Sequence, residues 1–510
     1  MDTDARSGRR RFLQGMLSAP ALSALGAQPP EPQEASGPVK LFNAIQMGPH
    51  TMLDEGIEHT LDLIQSTAAI NTLMVYSHTY HSNLSKPPQM LATDHGVPFR
   101  DPRNRKFPSV WVRHHEQYFG NTALRHQAVD SSFEYAGRDL FAEMLPAVRQ
   151  RGMKLYARIL EGSGPEAAGN IRGYERAETR DVNGRATLVP CWNNPDYRNF
   201  WTATVEDLFR SYELDGLQWG AERQGPLMNV ILPWNNSAPI CFCEHCQARG
   251  RARGIDPERA RLGFEKLYNY VRGLAARDAR PPEGVFGGFL GILLRYSEIL
   301  AWEYQYRLSR EEVLEAMYQT AKAIKPKAQV GWHVDHQPSS WDIVYRAEMS
   351  YAEMARYSDF IKFIAYHDIL GPRIRSWYLA RFQRTILSEL TLEESLNLYY
   401  DLFGYDKNQE PKLDQLATTG LSPDYVFRET RRSVASAEGK TKIYTGVGFD
   451  VPWGSNHVAA DPRKVYECVL KSFEAGAAGI VVSREYEEMR LPNLQAVGRA
   501  MRELDRRNAQ

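Results

Sequence analysis

Several features that mark common functional classes are missing from this sequence. Lysine plus arginine and aspartate plus glutamate balance at 62 each, which argues against nucleic acid or an anionic membrane as the main partner. No G-x-G-x-x-G segment opens a predicted helix, so a doubly wound dinucleotide-binding sheet has no support. No apolar run reaches 18 residues, so we expect no membrane-spanning helix.

What is present is the composition of a large globular protein. The chain has 510 residues, of which 43% are hydrophobic and 11% aromatic. These values allow a sizeable core and exclude wholesale disorder. The length suits one large α/β domain with insertions, or about two to three ordinary domains.

The N-terminus carries an export pattern. Arg9-Arg10, followed by R-F-L, is typical of a twin-arginine signal, and a short apolar run after it ends in small residues that suit a signal peptidase. We predict a signal peptide at residues 1–27, a linker at 28–38 and a catalytic domain at 39–510. The twin-arginine export machinery would carry the protein to the periplasm or beyond, free of the membrane after processing. The alternative is a basic amphipathic tail.

Short apolar runs rich in β-branched or aromatic residues recur eight times along the chain. They lie at residues 40–45, 71–76, 154–160, 215–219, 329–333, 360–365, 442–447 and 479–483. Amphipathic helical stretches separate them, at 137–151, 197–212, 296–324, 423–437 and 462–475. Eight such units predict an α/β fold, a (β/α)8 TIM barrel. Because such a barrel needs only about 250 residues, we expect long insertions after strands 2, 4 and 6, on the face that carries barrel active sites.

The segment 214–227 (LDGLQWGAERQGPL) is the first candidate site. Asp215 and Gly216 enter a short buried strand that ends at Trp219, and Glu222 follows directly. A carboxylate beside an aromatic ring at a strand end is typical of the floor of a site. The simpler interpretation is a turn followed by a solvated acid.

Carboxylates, histidines and aromatic side chains follow most of the other predicted strands. Such a mouth suits a carbohydrate, since sugar C–H faces pack on aromatic rings while paired carboxylates act at the anomeric carbon. The predicted substrate-binding residues are Trp219, His333, Trp332, Asp335, His78, Arg484, Tyr486 and Trp453. Barrel packing explains each of them alone equally well, and it is their convergence that indicates a site.

Three carboxylates are candidates for catalysis. Glu222 is predicted to be the general acid, with a pKa raised by the neighbouring aromatic wall, and Asp450 the nucleophile or base across the mouth. Glu485 is the reserve second carboxylate. Together they predict an exported glycoside hydrolase.

Two other functions remain open at this point. A metal-dependent isomerase, epimerase or hydrolase would group several side chains around a divalent ion, namely His333, Asp335, His336, His78 and Glu161. A carbohydrate-binding barrel without chemistry would keep the fold and lose turnover.

The cysteines form the sharpest local motif. Cys241, Cys243 and Cys246 lie within six residues, and Cys191 precedes them on another loop. Four thiolates would complete a closed, structural zinc site. Disulfides are the alternative in an exported protein, although C-x-C-x-x-C packs its thiols too tightly for every one to find an unstrained partner. Cys468 lies in a predicted helix as a core residue.

The D-G strand followed by a C-x-C-x-x-C insertion resembles a broad group of glycoside hydrolase-like barrels of secreted bacterial proteins. With Cys191, the cluster is similar to the zinc site of glycoside hydrolase family 42, the β-galactosidases. The resemblance implies a TIM barrel and a zinc ion held by the four cysteines. In that family the acid/base glutamate follows an asparagine at strand four and a nucleophilic glutamate lies on strand seven. Here Glu222 follows Gly220-Ala221, and strand seven offers Asp450.

Overall fold

The computed structural model describes residues 40–81, 92–231, 237–276, 280–336, 340, 342–452 and 460–510. The predicted signal peptide and linker and the predicted sugar-binding Trp453 lie outside these residues.

Eight parallel strands close into a barrel, as predicted. They are β1 (Phe42–Met47), β2 (Thr72–His78), β3 (Lys154–Glu161), β4 (Gly216–Ala221), β5 (Gln329–Val334), β6 (Phe360–Ile364), β7 (Lys442–Gly448) and β8 (Gly479–Ser483). Each pairs in parallel with its neighbours in the chain, and β8 closes the ring on β1 through the register Phe42 to Gly479. All eight lie within two residues of the apolar runs that predicted them, because each run is buried on both faces.

Helices surround the barrel and also fill its insertions. In chain order they are α1 (Pro49–Glu55), α2 (Ile57–Ala68), α3 (Leu140–Gln150), α4 (Pro165–Asn170), α5 (Pro195–Ser211), α6 (Pro226–Ile231), α7 (Glu244–Ala252), α8 (Pro257–Ala276), α9 (Val285–Arg295), α10 (Glu298–Ile324), α11 (Ile343–Glu348), α12 (Tyr351–Met354), α13 (His367–Arg373), α14 (Ala380–Phe382), α15 (Leu392–Phe403), α16 (Pro423–Ala437), α17 (Pro462–Glu474) and α18 (Leu491–Ala509). A π-helical segment, Ile374–Leu379, joins α13 to α14.

Three outer helices begin at the same kind of boundary. Asn194, Ser422 and Asp461 cap α5, α16 and α17, and each side chain accepts a backbone N–H of the first turn. A proline follows every cap, where its missing N–H costs nothing. Local sequence therefore determines where these helices start.

Insertions follow β2, β4 and β6, as predicted, and a further one follows β3. The β3 insertion holds α4 and an antiparallel pair, Glu178–Arg180 with Ala186–Pro190. Its strand Ile171–Arg172 also pairs with Arg125–His126 of the β2 insertion. Elements this short carry too few residues for a periodic apolar pattern, so they could not be predicted.

The barrel interior is apolar at one end and polar at the other. Near the strand starts it is filled by aromatic side chains, with Phe42 stacked on Tyr444 at a centroid distance of 4.0 Å and Phe360 packed beside them. Two residues further along β6, Lys362 points to the same interior and is fully buried. The carboxyl-terminal half of the barrel therefore holds polar and ionisable groups that need partners.

Among the described residues no single helix is long and apolar enough to cross a membrane, whereas α9 and α10 together meet the criteria for length and composition across a 77° bend.

Candidate functional site

A cavity of about 1080 Å³ opens at the carboxyl ends of the barrel strands. Several strands contribute charged or polar side chains to its wall, among them Arg158, Glu222, His333, Asp335, Tyr366, Arg484 and Glu485. Barrels of this kind place their active sites on this face. Five of the predicted site residues meet here: Glu222, Glu485, His333, Asp335 and Arg484.

Glu222 is held by two histidines. His333 Nε2 lies 3.2 Å from its Oε1, and His81 Nε2 lies 3.8 Å from its Oε2. Burial alone raises the pKa of Glu222, but the hydrogen bond from His333 and the electrostatic effect of His81, His333 and His336 together outweigh it, so the pKa lies below its usual value. The predicted raised pKa is wrong, because Trp219 points away from the cavity and supplies no apolar wall. Glu222 is thus an ionised carboxylate at neutral pH.

A buried lysine orients His333. Lys362 Nζ lies 3.3 Å from His333 Nδ1 and donates to the Tyr366 hydroxyl at 2.8 Å. With Nδ1 accepting from the lysine, Nε2 carries the ring proton toward Glu222. Burial and the charge of Lys362 lower the pKa of His333 to about 3, so the ring is neutral at pH 7.

Asp335 has the opposite electrostatic environment. It follows β5, and its Oδ1 accepts the backbone N–H of His336 at 2.6 Å. Burial and the negative charge of Glu222 raise the pKa of Asp335 to about 7. The cavity therefore contains one carboxylate that stays ionised and one that can hold a proton near neutral pH.

Glu485 lies in the same wall but is bound tightly. Arg158 Nη1 donates to both of its oxygens, at 3.0 and 3.1 Å, and the Tyr76 hydroxyl donates to Oε1 at 3.1 Å. The Arg158 guanidinium also lies 4.0 Å from the centroid of the Tyr76 ring. This arrangement fixes Glu485 as the counter-ion of Arg158.

Asp450 does not reach the cavity. Its side chain accepts the backbone N–H groups of Ala460 and Arg490, at 3.1 and 3.0 Å, and the amide of Asn493 at 2.8 Å. It thus ties the loop after β7 to the start of α18, and the predicted pairing with Glu222 across the mouth is not formed.

Two of the three tryptophans that were predicted to stack on sugar rings point away from the cavity. Trp219 and Trp332 are buried on the outer faces of β4 and β5, with ring centroids 5.4 Å apart, and pack under the helices. Side chains alternate along a strand, so the interior positions of β4 go to Gln218 and Gly220 instead. Two half-exposed rings do line the cavity: Trp377, on the π-helical segment of the β6 insertion, and Tyr268, on α8.

His78 and Tyr486 also lie elsewhere. The His78 ring is buried against His114 and His126, with its Nε2 2.6 Å from that of His114. Tyr486 donates to Glu55 at 2.6 Å.

The metal-centred alternative required His78 and Glu161 to join three cavity residues. Glu161 is buried outside the cavity, where it accepts from Tyr197 and pairs with Arg223 at 3.2 Å. His78 lies in its own histidine group. Of the five proposed ligands, His333, Asp335 and His336 line the cavity, so the structure does not bring that ligand set together.

Several cavity residues were not predicted to bind substrate. They are Tyr76, His81, Arg158, Tyr366, Arg373 and Trp377. Arg158 could have been predicted from the sequence, because a charged residue in the middle of an apolar strand needs a partner inside the barrel. Arg373 and Trp377 lie in an irregular helical insertion, where sequence spacing carries no such information.

The four clustered cysteines form a second, buried site. Neighbouring sulfurs lie 3.2 to 3.5 Å apart, from Cys246 to Cys241 and from Cys191 to Cys246. A disulfide needs about 2.05 Å, so the thiols are free, whereas a tetrahedral ion with bonds of about 2.3 Å needs separations of roughly 3.8 Å. The cluster can therefore hold a metal ion after a small expansion.

Neighbouring groups support the cluster. Asn193 donates its backbone N–H to Cys191 Sγ and its amide to Cys246 Sγ, both at 3.3 Å. Trp302 of α10 donates to the Cys241 carbonyl at 3.2 Å. The cluster thus joins the β3 and β4 insertions to an outer helix.

No protein-family model and no curated protein matches this sequence. The structure is similar to alpha-L-fucosidase isoenzyme 2 from Paenibacillus thiaminolyticus (13% identity, TM-score 0.45, 92% of this chain and 50% of that one). It is also similar to a beta-galactosidase from Halorubrum lacusprofundi (10% identity, TM-score 0.49, 91% of this chain and 58% of that one). A third similar structure is the PgaB glycoside hydrolase domain from Bordetella bronchiseptica (11% identity, TM-score 0.45, 91% of this chain and 98% of that one). The chain spans about half to three fifths of the first two proteins, and similarity of this degree does not establish a shared activity.

Proposed function

We propose that this protein is a glycoside hydrolase that uses Glu222 and Asp335 as its catalytic carboxylates. The observation that carries the proposal is that two carboxylates in one cavity have different partners: Glu222 lies 3.2 Å from His333 Nε2, whereas Asp335 accepts a backbone N–H and its pKa is raised. When the environments of two titratable groups in one site move their pKa values apart, one group can act as the acid and the other as the base.

The two roles follow from these protonation states. Asp335 starts protonated and gives its proton to the leaving oxygen as the glycosidic bond breaks. Glu222 starts ionised and either attacks the anomeric carbon or takes a proton from the water that attacks it, and the hydrogen bond from His333 keeps it ionised. Its predicted role as general acid thereby passes to Asp335.

The remaining wall suits a sugar. Trp377 presents a half-exposed ring for stacking, and Tyr366, His81 and Arg484 present donors that hydroxyl groups accept. A cavity of about 1080 Å³ has room for more than one sugar ring.

A substrate screen with three variants tests the proposal. Aryl glycosides and natural oligosaccharides are offered to the wild type, Glu222→Gln, Asp335→Asn and the control Glu166→Gln, a half-exposed carboxylate of the same cavity. We expect turnover to fall by about 10² to 10⁴ in the first two variants, with binding little changed, and to persist in the control. Asp335→Asn should lose least on substrates with acidic leaving groups.

Two outcomes contradict the assignment. Full activity of both variants would place the chemistry on other residues. Sugar binding without turnover across the whole panel would make the protein a carbohydrate-binding barrel.

We further propose that the cysteine cluster holds zinc with a structural role. Four sulfur ligands match a closed tetrahedral site, which leaves no position for substrate. For the N-terminal segment we propose a twin-arginine signal, supported by Arg9-Arg10 and the apolar run behind it.

A further inference from the structure

One buried arginine of the cavity wall has no carboxylate partner among the described residues. Arg373, the last residue of α13, lines the cavity and is only 7% exposed. Among the described residues no carboxylate lies within ion-pair distance of its guanidinium, and its Nε has no hydrogen-bond partner. Its guanidinium carbon lies 4.7 Å from the centroid of the Trp377 ring, which is a cation–π contact.

The other arginines at the strand ends are all paired. Arg158 pairs with Glu485 at 3.0 Å, Arg223 with Glu161 at 3.2 Å, and Arg484 with Glu488. These three cations therefore have their counter-ions within the protein. Arg373 differs from them while facing the same space.

An unpaired buried cation is costly to the folded protein. Taking a guanidinium out of water without a hydrogen-bonded partner is strongly unfavourable. Burial and the positive charge of Arg484 lower the pKa of Arg373 to about 10, which still leaves it charged at neutral pH. A bound anion would supply the missing partner, and a second guanidinium close by would add to the attraction.

We propose that Arg373 binds an anionic group of the substrate, so that the enzyme acts on an acidic sugar. The planar guanidinium fork matches a carboxylate or a sulfate ester through two parallel hydrogen bonds. The Trp377 ring lies beside the guanidinium and lines the same cavity, where the sugar could stack on it. The substrate class rests on the proposed glycosidase function, whereas the anion site itself does not.

Direct binding measurements test this. Isothermal titration calorimetry compares uronic-acid oligosaccharides, their neutral counterparts and sulfated sugars on the purified protein and on Glu222→Gln, which prevents turnover. We expect either the uronic-acid or the sulfated sugars to bind at least about 30-fold more tightly than the neutral ones. Whichever of the two binds more tightly identifies the anionic group, carboxylate or sulfate, that the site prefers.

Variants then assign the preference to one residue. Arg373→Gln should abolish it and Arg373→Lys should retain only part, because lysine keeps the charge but lacks the fork. The matched control is Arg272→Gln, an exposed arginine of the same cavity, which should keep the preference.

The outcomes separate the two proposals. Equal binding of acidic and neutral sugars by the wild type overturns the anion site even if Arg373→Gln fails to fold. An acidic preference that survives in folded Arg373→Gln overturns it as well. Acidic sugars bound through Arg373 but never hydrolysed would uphold the site and overturn the glycosidase.

Discussion

Two carboxylates in the cavity differ in protonation because their neighbours differ. Glu222 receives a hydrogen bond from a neutral histidine, whereas Asp335 is partly buried near the negative charge of Glu222. Neither environment is visible in the local sequence, since His333 reaches Glu222 from the next strand of the barrel. From the sequence, Glu222 was predicted to be the general acid and Asp335 a substrate-binding residue, and the roles proposed here differ because they depend on partners distant in the chain.

The pH dependence of activity follows from these two groups. Asp335 must be protonated, so kcat/KM should fall as pH rises through about 7, whereas the lowered pKa of Glu222 keeps it ionised well into acid. In Asp335→Asn the alkaline limb should disappear. The measurement is kcat/KM across acid and alkaline pH with an aryl glycoside of acidic leaving group. An unchanged alkaline limb in the variant would assign that pKa to another residue.

At the scale of elements, strands were predicted better than the chemistry they present. Every barrel strand could be found because its apolar run is continuous, but that continuity hides which residues face inward. Trp219 shows the difficulty. Because side chains alternate between the two faces of a strand, Trp219 is predicted to face the outer helices only if its polar neighbour Gln218 is taken to face the barrel interior. The same reasoning applied to Lys362 in β6 would have found the interior group that orients His333.

The cysteine cluster allows a prediction about the insertions it joins. Protein purified without added metal should contain about one zinc per chain, and Cys243→Ser should lower the free energy of unfolding by about 3 kcal/mol or more. Cys468→Ser is the control, since Cys468 is a buried free thiol outside the cluster. Thermal unfolding and metal analysis provide the readout. Metal-free wild-type protein, or equal loss in both variants, would contradict a structural ion.

For the whole molecule, the (β/α)8 architecture and three of its insertions could be predicted from the sequence. The insertion after β3 could not, because its two- to five-residue strands are held by partners distant in the chain. Asp450 failed as a catalytic candidate for a related reason: its partners Arg490 and Asn493 lie about 40 residues away, in or beside the last helix.

Export is a property of the whole chain and is tested on the precursor. Replacing Arg9 and Arg10 by lysine should leave the precursor in the cytoplasm, because the export receptor requires the arginine pair rather than positive charge alone. Cell fractionation with an antibody to the folded protein measures this. Replacing Arg6 and Arg11 by lysine is the matched control, and normal export of the first variant would refute the assignment.

The insertions are linked to one another around the cavity. A β-pair joins those after β2 and β3, the cysteines join those after β3 and β4, and Thr385 reaches the Ile231 carbonyl at 3.3 Å between those after β4 and β6. A change of length in one of them strains the contacts of the next. Over evolution, insertions and deletions in these segments should therefore be inherited in correlated sets, and grafting one of them alone onto a related barrel should cost more stability than grafting all four.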